Sequence, residues 1–339
     1  MPELSETRRA LLEKYLRGEL TQSPAVTDEP SQQAKVEEVG PRVVSIQVSD
    51  SKRPFFFLHG QWENMAFYCF PLSQGLGTEQ PFYVVEPYTF ENLPIPPPFE
   101  EIATIHVKAI RAVQQEGPYL LGGWCNGALM VYEIARQLQE QGQKVDLLVL
   151  MNSMALVYPF RYRIVRNALV LLGKLLRVGE DKQIDWYVRL RRTRLYLLHV
   201  KDFLRIRIRS LQASVGLGTA EQIERWNKRS VTFPQPRLFI PKAALRQDYE
   251  SVFTWLTLGY KPSKPYPGKI TFFWSSADWS AKEPFRNGWR KVEKTQEVEI
   301  HIFPGLHMAL VTDQLDVLIE SLRTCLQRCV EVVSQTRGE

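Results

Sequence analysis

Apolar residues along the chain gather in short, dense runs that lack the in-out alternation of a half-wetted sheet. Val43–Val48, Pro54–Leu58, Phe82–Val85, Tyr119–Trp124, Val145–Met151, Ile270–Trp274 and Val298–Phe303 are rich in β-branched, aromatic and leucine residues. Runs apolar at successive positions suit strands of a parallel sheet that is covered on both faces. Between them, Ile102–Gln115 and Ala128–Gln141 place apolar residues at helical spacing. Alternating strand and helix signals predict an α/β architecture with a mostly parallel sheet. From about Val157 to Gly259 the strand signal stops and helical spacing takes over. An insertion of that kind between two strands is expected to form a helical lid over the active-site edge. Near the start, Leu4, Leu11, Leu12, Tyr15 and Leu16 predict a helix over residues 5–17, with Ser5 capping its start and Gly18 its end. Residues 19–42 shift to Gln, Ser, Pro, Thr and Glu, which is linker chemistry. The expected organisation is therefore a leader helix at 1–18, a linker at 19–42 and one α/β body at 43–339, with its lid at about 157–259.

The candidate chemistry lies where strands end. Gly122-Gly123-Trp124-Cys125-Asn126-Gly127-Ala128 follows an apolar strand directly and precedes a helical pattern. Gly123-x-Cys125-x-Gly127 has the spacing of a nucleophile elbow, in which glycines two residues either side let strand and helix approach while the nucleophile occupies a strained turn. The helix start at Asn126 would aim partial positive charge and a backbone N–H at Cys125, favouring a thiolate and offering an oxyanion donor. Phe55-Phe56-Phe57-Leu58-His59-Gly60-Gln61-Trp62 is a buried strand ending in a His-Gly turn, where the Gln61 backbone is expected to supply the second oxyanion donor. Phe303-Pro304-Gly305-Leu306-His307 places a histidine on the turn after the last strand, last in chain order, as the general base requires. His106, His199 and His301 fall in a helix, in the lid and in a strand, and are weaker candidates. Two residues compete to orient His307. Asn152 follows the strand Val145–Met151, and Asp278 follows the strand Ile270–Trp274. An amide can hold an imidazole tautomer for a thiol nucleophile, so Asn152 is the positional choice and Asp278 its rival.

Composition narrows the classes further. The 339 residues are 44% apolar and 24% charged, enough to bury a core. The four cysteines form no C-x-x-C pair and are too few for a disulfide framework, which points to a reducing, cytoplasmic setting and no structural metal. No apolar run approaches the ~20 residues of a membrane span, so stable membrane insertion is not expected. The formal charge of +6 has a local source. From Arg189 to Arg209 eight basic residues face one acidic residue, Asp202, a local excess of seven that leaves the remainder one negative. Arg205, Arg207 and Arg209 are the candidate landing surface for an acidic protein partner, against a simpler reading as solvated, snorkelling side chains. No nucleic-acid-binding motif accompanies the charge. Cys325 and Cys329 read as small core-facing hydrophobes.

With these residues in hand, the chain resembles the type I thioesterase domains of nonribosomal peptide and polyketide synthases, members of the α/β-hydrolase superfamily. The likeness runs from about Arg53 to Leu326. It is carried by Phe57-Leu58-His59-Gly60, Gln80-Pro81-Phe82-Tyr83, Gly117-Pro118-Tyr119-Leu120-Leu121-Gly122-Gly123, Tyr132-Glu133-Ile134-Ala135-Arg136-Gln137-Leu138 and Gly305-Leu306-His307. The resemblance implies an acyl or peptidyl chain arriving as a thioester on the 4'-phosphopantetheine of a carrier protein, moved onto the nucleophile and then released. Such domains typically carry Ser at the position of Cys125 and Asp at that of Asn152, so this chain departs at two of three triad positions. A thioester on Cys125 would form almost isoenergetically from a pantetheine thioester. It would also react with amines more readily than a serine ester, which leads us to expect acyl transfer, amide formation or cyclisation ahead of hydrolysis. The competing expectations are a lid-gated hydrolase of free esters or acyl-CoA and a catalytically silent carrier-binding module.

Overall fold

The computed structural model describes residues 41–336 apart from 63–66, 91–92, 94, 159, 215–244, 246, 281–283 and 296. The expected leader helix and nearly all of the linker, together with part of the expected lid, lie outside the described residues. The strands are β1 (Val43–Gln47), β2 (Phe55–Leu58), β3 (Phe82–Val85), β4 (Tyr119–Trp124), β5 (Val145–Met151), β6 (Ile270–Ser275) and β7 (Val298–Phe303). They form one seven-stranded sheet in the order β1-β3-β2-β4-β5-β6-β7. Only β1 runs antiparallel to its neighbour; the other pairings are parallel. This is the mostly parallel α/β-hydrolase arrangement.

The helices are α1 (Cys69–Leu76), α2 (Phe99–Val113), α3 (Asn126–Glu140), α4 (Phe160–Leu176), α5 (Glu180–Ser214), α6 (Tyr249–Gly259), the short α7 (Ser276–Trp279), α8 (Pro284–Thr295) and α9 (Leu315–Thr336). They cover both faces of the sheet, which explains the unbroken apolar runs. Successive strand residues point to opposite sides. Phe56, Leu121, Leu148 and Phe272 pack in one layer with residues of α2, α3, α6 and α8. Phe55, Phe57, Leu120, Val149 and Phe273 pack in the other with residues of α1 and α9, Cys325 among them.

Chain order reverses between β2 and β4, since β3 lies outside β2 on one side and β5 beyond β4 on the other. In open α/β sheets ligands bind in the crevice at the carboxyl ends of strands at such a switch point. The segments after β2, β4, β5, β6 and β7 all emerge at that edge.

Between β5 and β6 lie α4, α5 and α6. α4 is tied to α6 by Arg166, whose Nε donates to Trp255 O at 3.1 Å and whose guanidinium sits 4.8 Å from the Trp255 ring centre. α5 is tied to α6 by Arg191, which donates to Ser251 Oγ at 2.8 Å and pairs with Glu250 at 2.6 Å, and by an Arg192–Asp248 ion pair. α3 is buried along nearly its whole length, and so Glu133 is 0% exposed. A carboxylate there needs partners. It receives both ends of the Arg136 guanidinium at 2.7 Å, Gln137 Nε2 at 2.8 Å and the Tyr260 hydroxyl beyond the end of α6. Among the described residues, no helix is long and apolar enough to cross a membrane.

Candidate active site

Cys125 sits between β4 and α3 with φ 54° and ψ −112°, a conformation that L-residues seldom adopt. The crowding that forces it is visible at the flanking glycines. A Cβ on Gly123 would lie 2.6 Å from Gly127 O, and one on Gly127 would lie 2.2 Å from Leu58 O. The turn is held from below by Cys125 N–H donating to Met151 O at 2.9 Å. The side chain is half-buried and not in a disulfide.

His307 opens a 3-10 turn, His307–Val311, after β7. Its Nδ1 lies 2.5 Å from Asp278 Oδ2, and the Cys125 thiol acts on the same ring from the elbow. Burial alone would lower its pKa, but the hydrogen bonds and charges of Asp278 and Cys125 together push it up to about 10. The imidazolium is thus the form held at neutral pH. The Trp124 ring packs 5.0 Å, centre to centre, from the imidazole and limits its rotation.

Asp278 hangs on a turn with its own cap. Ser275 Oγ accepts from Asp278 N–H at 3.3 Å, and Ser276 Oγ bridges to Gly305, accepting from its N–H at 3.1 Å. Ser275 and Ser276 therefore fasten the acid-bearing turn to itself and to the histidine loop. Their positions just ahead of Asp278 carry the signature of an N-cap, the signal by which sequence reading could have found them.

Asn152 occupies a different place from the one expected of it. The ring's carboxyl partner in the structure is Asp278, and the hydrogen bonds of the Asn152 side chain go to backbone atoms: Nδ2 donates to His307 O at 2.8 Å, and Oδ1 accepts from Ser275 N–H at 2.7 Å. The reason is reach. β5 lies one strand farther than β6 from β7, the strand that leads to His307, so the short amide at 152 meets the backbone of the histidine turn while Asp278, on the turn after the neighbouring strand, meets the ring.

Of the two expected oxyanion donors, Asn126 is the first residue of α3, where backbone N–H groups lack intrahelical partners. Its side chain also donates to Gly60 O at 3.3 Å, tying elbow to His-Gly turn. Gln61 N–H, however, donates to His59 Nδ1 at 3.2 Å, so this donor is engaged within its own turn. Burial pushes the His59 pKa down to about 4, which keeps the ring a neutral acceptor. Beside Gly60 and Asn126 lies a small, largely apolar pocket of about 20 Å³, with Trp62, Tyr88, Met130 and Phe253 in its wall.

The basic run divides in two. Arg191 and Arg192 are spent on anchoring α5 to α6, whereas Arg205 is exposed beside Asp202 at 3.9 Å and Arg207 stacks over Phe203 at 5.5 Å. α5 is one continuous helix here, so Arg205 and Arg207, two residues apart, lie on opposite faces. The Arg209 side chain lies outside the described ones. His106 is buried between Ile102 O and Glu86 O, and His301 pairs with Glu299, so the polar contacts of both rings lie away from the elbow.

Residues 70–326 match the family model described as thioesterase domain. Among curated proteins, the chain is 51% identical over 55 residues to the non-reducing polyketide synthase PKS16 of Cladonia grayi, covering 16% of this chain and 3% of that protein. It is 28% identical over 169 residues to a dimodular nonribosomal peptide synthase of Bacillus subtilis, covering 49% of this chain and 7% of that one. The chain thus spans a small fraction of these relatives. Among solved structures, a four-domain nonribosomal peptide synthetase, holo-AB3403 bound to AMP and glycine, overlays 85% of this chain and 20% of its own with TM-score 0.51 at 17% identity, a likeness of fold.

Proposed function

Because the chain belongs to the thioesterase domain family, we propose that it takes an acyl or peptidyl chain from the 4'-phosphopantetheine thiol of a carrier protein onto Cys125 and then releases it. The observation that carries this reading is the imidazole of His307, hydrogen-bonded to Asp278 at 2.5 Å and influenced by Cys125, which stands on its strained turn. The Cys125 thiolate attacks the thioester carbonyl. The oxyanion is met by the Asn126 N–H at the amino end of α3, joined by Gln61 N–H once it leaves His59. The carbon–sulfur bond to pantetheine breaks, and His307 returns a proton to the departing thiolate. An amine, a hydroxyl of the same chain or water then attacks the Cys125 thioester, giving its proton to His307 as Cys125 leaves. Because thiolate is a good leaving group, amines and intramolecular nucleophiles are favoured over water. Helices α4 to α6 act as the lid, and Arg205, Arg207 and Arg209 receive the acidic carrier.

Intact-mass analysis after incubation with an acyl-loaded carrier protein tests the reading. Wild type should gain the acyl mass, Cys125→Ala should not, and an added amine should discharge the acyl group faster than buffer does. Equal acylation of Cys125→Ala, or turnover of small free esters with no reaction on the carrier, would overturn it.

A further inference from the structure

Asn152 is 2% exposed and carries φ 42°. That backbone conformation tolerates Asn and Asp alike, so it does not explain why an amide stands there. The hydrogen bonds do. One end of the side chain accepts, from Ser275 N–H at 2.7 Å, while the other donates, to His307 O at 2.8 Å. Turning the amide over would set donor against donor and acceptor against acceptor, so the network assigns its orientation. A carboxylate offers two acceptors and no donor. It could keep Ser275 but would confront the His307 carbonyl, and it would add a second negative charge to a cluster where Asp278 already serves the ring. The Asn152 backbone is itself pinned, its N–H donating to Phe273 O at 2.8 Å.

Resting on the Cys125–His307–Asp278 reading above, we propose that Asn152 is a positioning residue: its amide clamps the histidine turn to the acid-bearing turn, and the site requires the amide where a carboxylate would impair it. The clamp sets how far the His307 ring stands from both Asp278 and Cys125 without touching the ring. A carboxyl group at 152, the residue typical of similar domains, is therefore expected to harm this site.

The test reads thiol reactivity in the full chain. Iodoacetamide alkylation of Cys125 is followed by peptide mass spectrometry from pH 6 to 10 in wild type, Asn152→Asp, Asp278→Asn and the double variant, with Cys125→Ala as blank. Among the described residues, the groups whose charge acts on or is acted on by Cys125 include His307 and the phenols of Tyr68 and Tyr158, and burial raises both phenols, which leaves His307 as the side chain whose charge the pH series follows. Asn152→Asp should alkylate roughly tenfold or more slowly at pH 7 and approach wild type near pH 10, since loss of the buried donor misplaces the imidazolium partner. The double variant should be no faster than Asp278→Asn. Should Asn152→Asp fail to fold, Asn152→Gly, which accepts the positive φ, takes its place and should slow alike. Wild-type alkylation in Asn152→Asp or Asn152→Gly, or a double variant faster than Asp278→Asn, overturns the positioning role. If Asp278→Asn itself alkylates like wild type, the triad reading fails instead, and the clamp that rests on it falls with it.

Discussion

Replacing Asp278 by Asn removes the charge that faces His307 Nδ1 at 2.5 Å and leaves the shape of the side chain intact. A hydrogen bond to a charged group contributes about 1.5–3 kcal/mol. The His307 side chain is 34% exposed, so solvent screens the pair and the lower half of that range applies. About 1.5–2 kcal/mol corresponds to roughly a 10- to 30-fold change in the equilibrium that keeps the His307 imidazolium in place beside Cys125. The direction follows from the pKa. His307 is held up at about 10, against 6.5 unperturbed, by Asp278 and Cys125 acting against burial. Its contribution to stability is therefore complete below pH 6.5 and lost as pH rises through about 10. Without the carboxylate that folded pKa falls, and the imidazolium beside Cys125 is less favoured at neutral pH. Alkylation of Cys125 by iodoacetamide at pH 7 should slow roughly 10- to 30-fold. It should approach the wild-type rate above pH 9, where an ordinary thiol ionises unaided at about 8.5. Identical profiles for the two proteins would refute the assignment of Asp278 as the group that sustains the ion pair.

Two further outcomes follow from other parts of the molecule. Glu133→Ala removes the two-pronged partner of the Arg136 guanidinium, which keeps Glu140 and Ser263, and the partner of the Tyr260 hydroxyl; urea unfolding should show a loss of about 1.5–3 kcal/mol, as for lost hydrogen bonds to a charged group, and no measurable loss would mean that the network contributes little. Reversing Arg205, Arg207 and Arg209 to Glu should raise KM for an acyl-loaded carrier protein and leave iodoacetamide alkylation of Cys125 unchanged, and an unchanged KM would remove α5 as a landing surface.

How much of this was legible beforehand can be argued from single residues. Cys125 announces itself because a strand-to-helix reversal within a few residues demands small neighbours, and Gly123 and Gly127 stand at the positions where a Cβ would collide with backbone. His307 is legible through chain order and through the strand that precedes it. The seven strands follow from local composition, because burial on both faces of a parallel sheet leaves an apolar run wherever a strand passes.

The acid was not legible. Asn152 and Asp278 both follow parallel strands that are neighbours in the sheet, and both emerge at its carboxyl edge. Which one meets the imidazole depends on ångström differences in how far each turn projects, and those are set by contacts distant in sequence, such as Ser276 with Gly305 and Asn152 with His307. The same holds for Gln61, whose N–H could face the elbow or its own His59, and for the arginines of α5, half of whose story is written on α6. The sequence by itself determined the elements and the chemical inventory, because strand, turn and elbow preferences are local. Tertiary structure decided which members of that inventory touch, because hydrogen bonding is directional and short-ranged and therefore turns on packing among segments far apart in the chain.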